Sequence, residues 1–490
     1  MKNIYKYSLF FIAFGTLTSS CTKNFDATNT NPNRPTVAPL TNVLAFSIQD
    51  HASNTYDVWG DMNEPSTYSG QLAKIQYLDE ARYNFRPNVV ENLWTYYSRD
   101  LKNLQLVIDG SKKDGKTNMQ AVATTFQTLI WLSATDRWRD IPFSGALQGD
   151  AGVISPKYDT QELIYPELLN RLKAAAALFN QHGKDDLGNG DVLFKGDVSK
   201  WLRFANSLRL RIAIRISKIS PALAKANVEE ITGNPTLYPL ITSNDNNAYL
   251  TWPGVLPYLE PWAFDQFNPS GNRDDHGVSD VMITTLQGLN DPRLSIYAKP
   301  ATLDGVYRGA PIGPTDAALI KPISRYSRIG ARFRDNVKGF TPFFSAAEVN
   351  FNLAEAALLG WNAGITASTA YTNGVTLSLT DNGVAAADIA TYLAGSGAFD
   401  GNLKTVYLQK WIALFKNGNE AWAENRRTDV PLLPAASGST VTGHNRPPFR
   451  YPYPTSETNL NSGNSGPFVA SVKDNFWGKQ MWWDTRTGVN

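Results

Sequence analysis

The chain has 490 residues, of which 42% are hydrophobic and 18% charged. This composition is globular, and the length exceeds the roughly 250–300 residues at which a single core stops growing, so we expect two closely packed lobes or a scaffold with large insertions. A net charge of only +2 argues against a nucleic-acid binder, and 13 Trp and 21 Tyr against four His favour contact surfaces over catalysis.

Residues 1–20 predict a bacterial lipoprotein signal peptide. Lys2 and Lys6 precede the apolar run Leu9–Leu17, and the small residues Thr18–Ser20 lead to Cys21, the only cysteine. We expect acylation of Cys21 to anchor the chain, because the apolar run is shorter than the roughly 20 residues that span a bilayer. The alternatives are an ordinary signal peptide with a chance cysteine or a buried free thiol. With Cys21 committed to lipid, no thiol is left for disulfides, zinc or catalysis.

Residues 21–40 predict a polar tether that is interrupted by prolines. Beyond it, the pattern is mostly α. An apolar stripe at three- and four-residue steps predicts a first helix, and a polar turn at 111–118 leads to a second helix. The stripes are formed by Trp94, Tyr97, Leu101, Leu104 and Ile108, and by Val122, Phe126 and Leu129.

Two aromatic stretches are candidate ligand-binding segments, because clustered rings with polar neighbours offer a large rigid contact area. The first, Gln76–Arg86, contains Tyr77, Asp79, Arg82 and Tyr83. The second, Trp252–Phe267, contains Trp252, Tyr258 and Trp262 among prolines. The alternative for each aromatic is packing in the core.

Further helices are predicted along the chain. Asp159 and Glu162 predict a capping box before a helix, and Ser345 and Glu348 predict another. A helix with the apolar stripe Trp201–Ile216 carries arginines that we expect to face solvent or acidic neighbours, and helices are also predicted at 366–379 and 403–417. The stretches at about 233–344 and 428–490 are rich in Pro, Gly and aromatic residues and predict long irregular insertions that carry function.

Sequence signals for catalysis are weak. Asp274, Asp275 and His276 are adjacent, and a solvated turn explains them better than a metal or acid/base site, whose ligands come from separated positions. No phosphate-binding loop or Ser-His-Asp signature is evident. We therefore predict a protein that is not an enzyme, with no cofactor and with no residues assigned as metal ligands. A glycoside hydrolase stays as an alternative, because two carboxylates across a cleft leave no sequence signature.

Several segments resemble the SusD/RagB family, in particular its SusD-like subgroup, and they occur in the family's order along the chain. They are Cys21 with Phe25 and Asn29–Asn33, Thr135–Leu147, Pro156–Leu169, Gly288–Ala298, Gln409–Pro431 and Arg446–Glu457. Helical hairpins alone do not establish a tetratricopeptide repeat here, because no clean 34-residue period is present.

The resemblance implies a tetratricopeptide-like scaffold over residues 41–490 with binding insertions. It also implies a lipid-anchored protein at the outer membrane, exposed on the cell surface. Family members bind an oligosaccharide nutrient and deliver it to a TonB-dependent SusC-like transporter. A peptide-binding RagB-like role is the alternative, because aromatic loops serve both ligands.

Overall fold

The computed structural model describes residues 38–267 and 273–490, without the side chain of Gln266. The predicted signal peptide, Cys21 and the tether up to residue 37 lie outside the described residues. Residues 40–490 form one compact unit. Within the described part of the chain, no helix is long and apolar enough to cross a membrane.

Helices dominate the described residues, as the sequence predicts. The α-helices are α1 Leu40–Thr55, α2 Pro65–Tyr68, α3 Pro87–Lys113, α4 Thr117–Trp138, α5 Gln161–Phe179, α6 Val198–Arg215, α7 Pro221–Gly233, α8 Pro261–Phe267, α9 Asp280–Gly288, α10 Leu294–Tyr297, α11 Ala331–Arg334, α12 Ala346–Leu358, α13 Ala367–Asp381, α14 Ala386–Ala394, α15 Leu403–Ala413, α16 Gly418–Thr428, α17 Thr455–Leu460 and α18 Ser462–Val469. One π-helix covers Val58–Met62, and short 3-10 turns cover Glu80–Arg82, Gly149–Ala151, Gly188–Gly190, Asn244–Asn246 and Ile323–Arg325.

The strands are short and form antiparallel pairs. They are β1 Leu72–Lys74, β2 Ile141–Pro142, β3 Tyr158–Asp159, β4 Ala248–Thr251, β5 His276–Val278, β6 Phe340–Phe344, β7 Val472–Lys473 and β8 Trp477–Gly478. The pairs are β1 with β5, β2 with β3, β4 with β6 and β7 with β8. Both predicted insertions therefore contain only short elements.

Consecutive helices pack as antiparallel hairpins, each against the next from α3 to α7, and α12 packs on α13 and α15. The predicted helix pair at 94–129 is confirmed as α3 and α4, which the residues 114–116 connect. The stripe residues Trp94, Tyr97, Leu101 and Leu104 are buried in the main core. The prediction of a mostly α, tetratricopeptide-like scaffold with irregular insertions is confirmed.

Of the two predicted helix caps, the structure contains the one at Ser345 and not the one at Asp159. Ser345 caps α12 by accepting a hydrogen bond from the Glu348 N–H at 3.3 Å. At α5 the prediction is wrong, because Thr160 occupies the cap position without a side-chain hydrogen bond. Asp159 instead accepts hydrogen bonds from the Ser144 N–H at 2.7 Å and from the Ser144 hydroxyl, so it fixes the preceding loop.

A network of buried ion pairs connects α6 to α12 and α16. Arg211 of α6 makes a bidentate pair with Glu348 of α12, at 2.6 Å for both bonds. Arg215 pairs with Glu420 of α16. The acidic neighbours expected for these arginines are present, but the residues lie in the core with almost no exposure to solvent.

The network continues between α12 and α16. Arg427 donates to both carboxylate oxygens of Glu355 at 2.6 and 2.7 Å and to Glu424 at 2.8 Å. Although burial lowers the pKa of Arg427, the carboxylates of Glu355 and Glu424 raise it well above its usual value. These arginines are therefore charged in the folded protein.

Candidate functional site

The second predicted aromatic stretch is mostly buried. Trp252 is 4% exposed and donates its indole N–H to the Thr341 hydroxyl at 3.0 Å. Trp262 is 1% exposed and lies beneath the Lys416 ammonium, which is 5.0 Å from the ring centroid. The expectation that these two tryptophans face a ligand is therefore wrong, because both rings complete the packing beneath the insertion.

Tyr258 is the exception in that stretch. It closes a tight turn by donating its backbone N–H to the Val255 carbonyl at 2.7 Å, and its ring is 44% exposed. Val255 and Leu256 in the same turn are also exposed. This turn places an apolar tip at the surface, and Tyr258 stays a candidate contact residue.

The first predicted stretch divides between core and surface. Tyr83 is buried, and its hydroxyl accepts a hydrogen bond from the Ala436 N–H at 2.8 Å, so its predicted exposure is wrong. Tyr77 is 65% exposed, with the Arg273 guanidinium 4.6 Å from its ring centroid. Arg82 is committed to Asp316 at 2.7 Å. Asp79 is exposed and contacts Arg86 at 3.2 Å.

A cleft of about 610 Å³ lies beside the first stretch, and Arg86 is one of its lining residues. Its lining combines aromatic rings, three amide side chains, one guanidinium and one carboxylate. The residues are Asn54, Asp57, Trp59, Phe85, Arg86, Pro87, Asn88, Val89, Asn92, Leu93 and Tyr96. Clefts of this size and mixed lining are typical ligand sites, so we refer to these residues as the Trp59 cleft.

One wall of the cleft is the π-helix that follows α1. Asp57 caps it by accepting hydrogen bonds from the N–H groups of Trp59 at 2.9 Å and Gly60 at 2.6 Å. A Cβ at Gly60 would lie 2.8 Å from the Thr55 carbonyl carbon, so a glycine is required where this turn packs against the end of α1. The turn leaves the Trp59 side chain 42% exposed. Single turns of π-helix are often found at functional sites.

The opposite wall is the first part of α3. Asn88, Asn92 and Tyr96 follow one another at four-residue spacing, which places them on one face of the helix. Pro87 begins the helix, where a missing N–H costs nothing. The Arg99 guanidinium lies 4.9 Å from the Tyr96 ring centroid and pairs with Asp50. Two amides and a phenol ring are thus presented on a rigid helix.

Arg86 joins the two walls. Its guanidinium carbon lies 5.9 Å from the Trp59 ring centroid, and its nitrogen atoms pair with Glu80 and Asp79. Glu80 also pairs with Lys74. Burial raises the pKa of Glu80, but Lys74 and Arg86 outweigh it and lower that pKa below its usual value. A charged Glu80 therefore holds Arg86 in place before any ligand arrives.

Asp57 is the carboxylate that lines the cleft, and in the described part of the chain it forms no ion pair. Burial raises its pKa to about 7, against the backbone hydrogen bonds from Gly60 and Trp59 and the charge of Arg137, which lower it. Its charge in turn reaches Tyr96, whose pKa is raised by burial first and by Asp57 second. The acid and the phenol both line the cleft.

The Trp59 cleft was not predicted from the sequence as a site, although Phe85 and Arg86, at the end of the first predicted stretch, line it. The signal that could have found it is the polar face at positions 88, 92 and 96 of a helix that is otherwise apolar on its inner side. The sequence around Trp59 does not indicate a binding residue, because an isolated tryptophan is more often buried than exposed.

The adjacent acids and histidine at 274–276 do not form a metal site. His276 is fully buried and its Nε2 lies 3.0 Å from the Asn63 amide oxygen, while Asp275 pairs with Arg273. The expectation of a solvated turn is wrong for these two residues, because His276 begins β5 in the core and Asp275, directly before it, is also buried. In the described residues, no three His, Cys, Asp or Glu side chains are placed to hold a metal ion.

A cleft on a helical scaffold, lined by rings, amides and a paired guanidinium, is an arrangement suited to ligand binding. Comparison of the sequence with protein families gives a match over residues 32–454 to a family described as SusD-like, starch-binding and associating with the outer membrane. The match covers most of the chain, which therefore belongs to the SusD-like family.

Solved structures with the same fold agree. A SusD homologue from Bacteroides uniformis is 27% identical, with a TM-score of 0.75, and the match covers 91% of this chain and 99% of that one. A SusD-like protein from Bacteroides thetaiotaomicron is 26% identical, with a TM-score of 0.78 and coverages of 92% and 100%. A chitin-binding SusD homologue from Flavobacterium johnsoniae is 26% identical, with a TM-score of 0.77 and coverages of 91% and 98%. No curated protein matches the chain.

Proposed function

We propose that this protein binds an oligosaccharide nutrient at the outer membrane and delivers it to a TonB-dependent SusC-like transporter, with Cys21 as its lipid attachment site. The Trp59 cleft is the observation that carries the binding role. Its rings suit the apolar faces of sugars, and its three asparagines can both donate to and accept from hydroxyl groups. The family description and the chitin-binding relative support a glycan as the ligand.

The binding surface extends beyond the cleft in this proposal. Asp79 is linked to the cleft through Arg86, and Tyr77 lies two residues before Asp79 with most of its ring exposed. A ligand longer than the cleft would reach Tyr77, and Tyr258 is a further candidate. Arg82 contributes through Asp316 by holding the segment in place.

The arrangement favours binding without bond cleavage. Among the described residues, Asp57 is the only carboxylate that lines the cleft, and the nearby Glu80 and Asp79 are both paired with Arg86. A glycoside hydrolase uses two carboxyl groups on opposite sides of the scissile bond. We therefore expect incubated oligosaccharides to be recovered intact, without new reducing ends.

Binding is tested by calorimetric titration with the N-acetylglucosamine tetramer and with maltoheptaose. Trp59→Ala and Tyr96→Ala should each weaken binding of the sugar that binds by about 5- to 150-fold, the range that stacked aromatic contacts give for nucleic-acid bases. Phe264→Ala is the matched control, because Phe264 is similarly exposed (38%) but lies outside the cleft. Wild-type affinity in both cleft variants would refute the site.

The remaining parts of the proposal have their own tests. Cys21→Ala should abolish palmitate labelling and membrane attachment while the fold is kept. Affinity purification of the tagged protein from native membranes should recover a larger barrel protein, since a lid on a transporter requires a large interface. A peptide-binding role would be favoured if peptides compete with the sugars for the cleft.

A further inference from the structure

One acidic group distinguishes the Trp59 cleft from a neutral sugar site. The charges of Arg86, Glu80, Asp79 and Lys74 compensate one another in a continuous set of ion pairs. Asp57 has no such partner among the described residues. The cleft therefore presents one carboxyl group that no cation of the described residues pairs with.

The geometry of Asp57 leaves this carboxylate available to a ligand. The N–H groups of Trp59 and Gly60 both bind Oδ1, and Oδ2 accepts no hydrogen bond within the described part of the chain. Asp57 is half-buried and lines the cleft. A partly desolvated carboxylate oxygen gains most from a charged donor, because hydrogen bonds between ionised groups are about twice as strong as neutral ones.

None of the charged and titratable groups around Asp57 takes the place of a charged donor from a ligand. Arg137 of α4 lowers the pKa of Asp57, but it is buried and donates to the Gly60 carbonyl at 2.6 Å. Asp265 of α8 and Asp61 of the π-helix add negative charge, and Tyr96 of α3 is neutral at physiological pH. None of these groups offers Asp57 a bonded cation from the cleft side.

We infer that the Trp59 cleft selects amino sugars, with the Asp57 carboxylate binding the primary ammonium group of a glucosamine unit whose ring lies against Trp59 or Tyr96. An N-acetylated unit at that position carries a neutral amide and loses the charge-assisted bond. Asp57 is then a specificity-determining residue. This inference rests on the proposed function, because it assumes that a glycan occupies the cleft.

The test compares two tetramers that differ only at nitrogen, tetraglucosamine and tetra-N-acetylglucosamine, by calorimetric titration at pH 7 and low salt. Wild-type protein should bind tetraglucosamine about 10- to 100-fold more tightly, as expected for a hydrogen bond between charged groups. The preference should decrease with added salt.

Asp57→Asn removes the charge and keeps the cap, because an asparagine Oδ1 accepts the same two N–H groups and is equally favoured at helix starts. The variant should lose the preference, so that its dissociation constants for the two tetramers become about equal. Asp61→Asn is the matched control, since Asp61 lies in the same turn but is fully buried and outside the cleft lining. It should keep the preference. Circular dichroism and thermal melting establish that both variants are folded.

Equal affinity of wild-type protein for the two tetramers, or an unchanged preference in Asp57→Asn, would overturn the inference. If tetra-N-acetylglucosamine binds and Trp59→Ala weakens it, the proposed function stands although the amino-sugar preference fails. If neither tetramer nor maltoheptaose binds, both fail. Binding of tetralysine as tightly as tetraglucosamine would replace the amino sugar by a peptide amine and would also overturn the inference.

Discussion

The pair Asp50 and Asp100 makes an unusual prediction about stability and pH. Asp100 of α3 is fully buried, and neither of its carboxyl oxygens accepts a hydrogen bond in the described part of the chain. Burial and the neighbouring Asp50 raise the pKa of Asp100 to about 9. The Arg99 Nε lies 3.9 Å from Asp100, but Arg99 pairs more closely with Asp50. Asp100 is therefore protonated in the folded protein at neutral pH.

The sign of the pH effect is opposite to that of a paired carboxylate. An unfolded Asp ionises near pH 4, whereas the folded one holds its proton up to about pH 9. The contribution of Asp100 to the free energy of unfolding is therefore most favourable below about pH 4, decreases as the pH rises, and becomes constant above about pH 9. Each pH unit between these limits costs about 1.4 kcal/mol, so the cost at pH 7 is at most about 4 kcal/mol.

Asp100→Asn should remove this cost, because an amide stays neutral and its N–H can donate to Asp50. We expect the variant to be more stable than wild type by about 1–4 kcal/mol at pH 7 and nearly equal to it at pH 4.5. Urea unfolding from pH 4.5 to 9 measures the difference, and Asp109→Asn, an exposed site on the same helix, is the control. A variant that is destabilised equally at every pH would refute the reasoning.

Three further outcomes follow from the packing. Trp252→Ala and Trp262→Ala should each lower the free energy of unfolding by about 3–5 kcal/mol in chemical denaturation, and sugar affinity measured below the melting temperature should not change. Arg427→Met should lower the free energy of unfolding by about 3–5 kcal/mol, because the Glu355 carboxylate is left buried without its ion pair. A variant as stable as wild type would show that this ion pair contributes nothing to stability. Gly418→Ala should lower the melting temperature, since a Cβ there would clash with the neighbouring α2 backbone, and an unchanged melting temperature would contradict the packing.

The helices could be predicted because their stripes follow a single physical rule. Trp94 to Ile108 recur at helical spacing, and burial of that face decides the structure. The insertions could not be predicted in this way. Trp252 and Trp262 stand among prolines, which break helices but do not prevent a loop from folding back over the core. The same composition fits a buried and an exposed ring, so only the three-dimensional path of the chain separates Trp252 from Tyr258.

The candidate site was predicted only at its border. Asp79 was identified as polar and exposed, but its contact with Arg86 depends on the turn at residues 80–82. Trp59 and Tyr96 are 37 positions apart in sequence, and the packing of α1 on α3 brings them to one cleft. A pairing over that distance follows from tertiary packing and leaves no local pattern.

The buried ion pairs of α6 have a consequence for the order in which the chain folds. Arg211 meets Glu348 over 137 residues of sequence, and Arg215 meets Glu420 over 205. Until the acidic partners have docked, the N-terminal hairpins would bury guanidinium groups without counter-charges, which is unfavourable. Contacts at such long separation slow folding. We therefore expect the scaffold to reach its final packing only after α16 has emerged, and fragments that end before residue 418 to remain prone to aggregation.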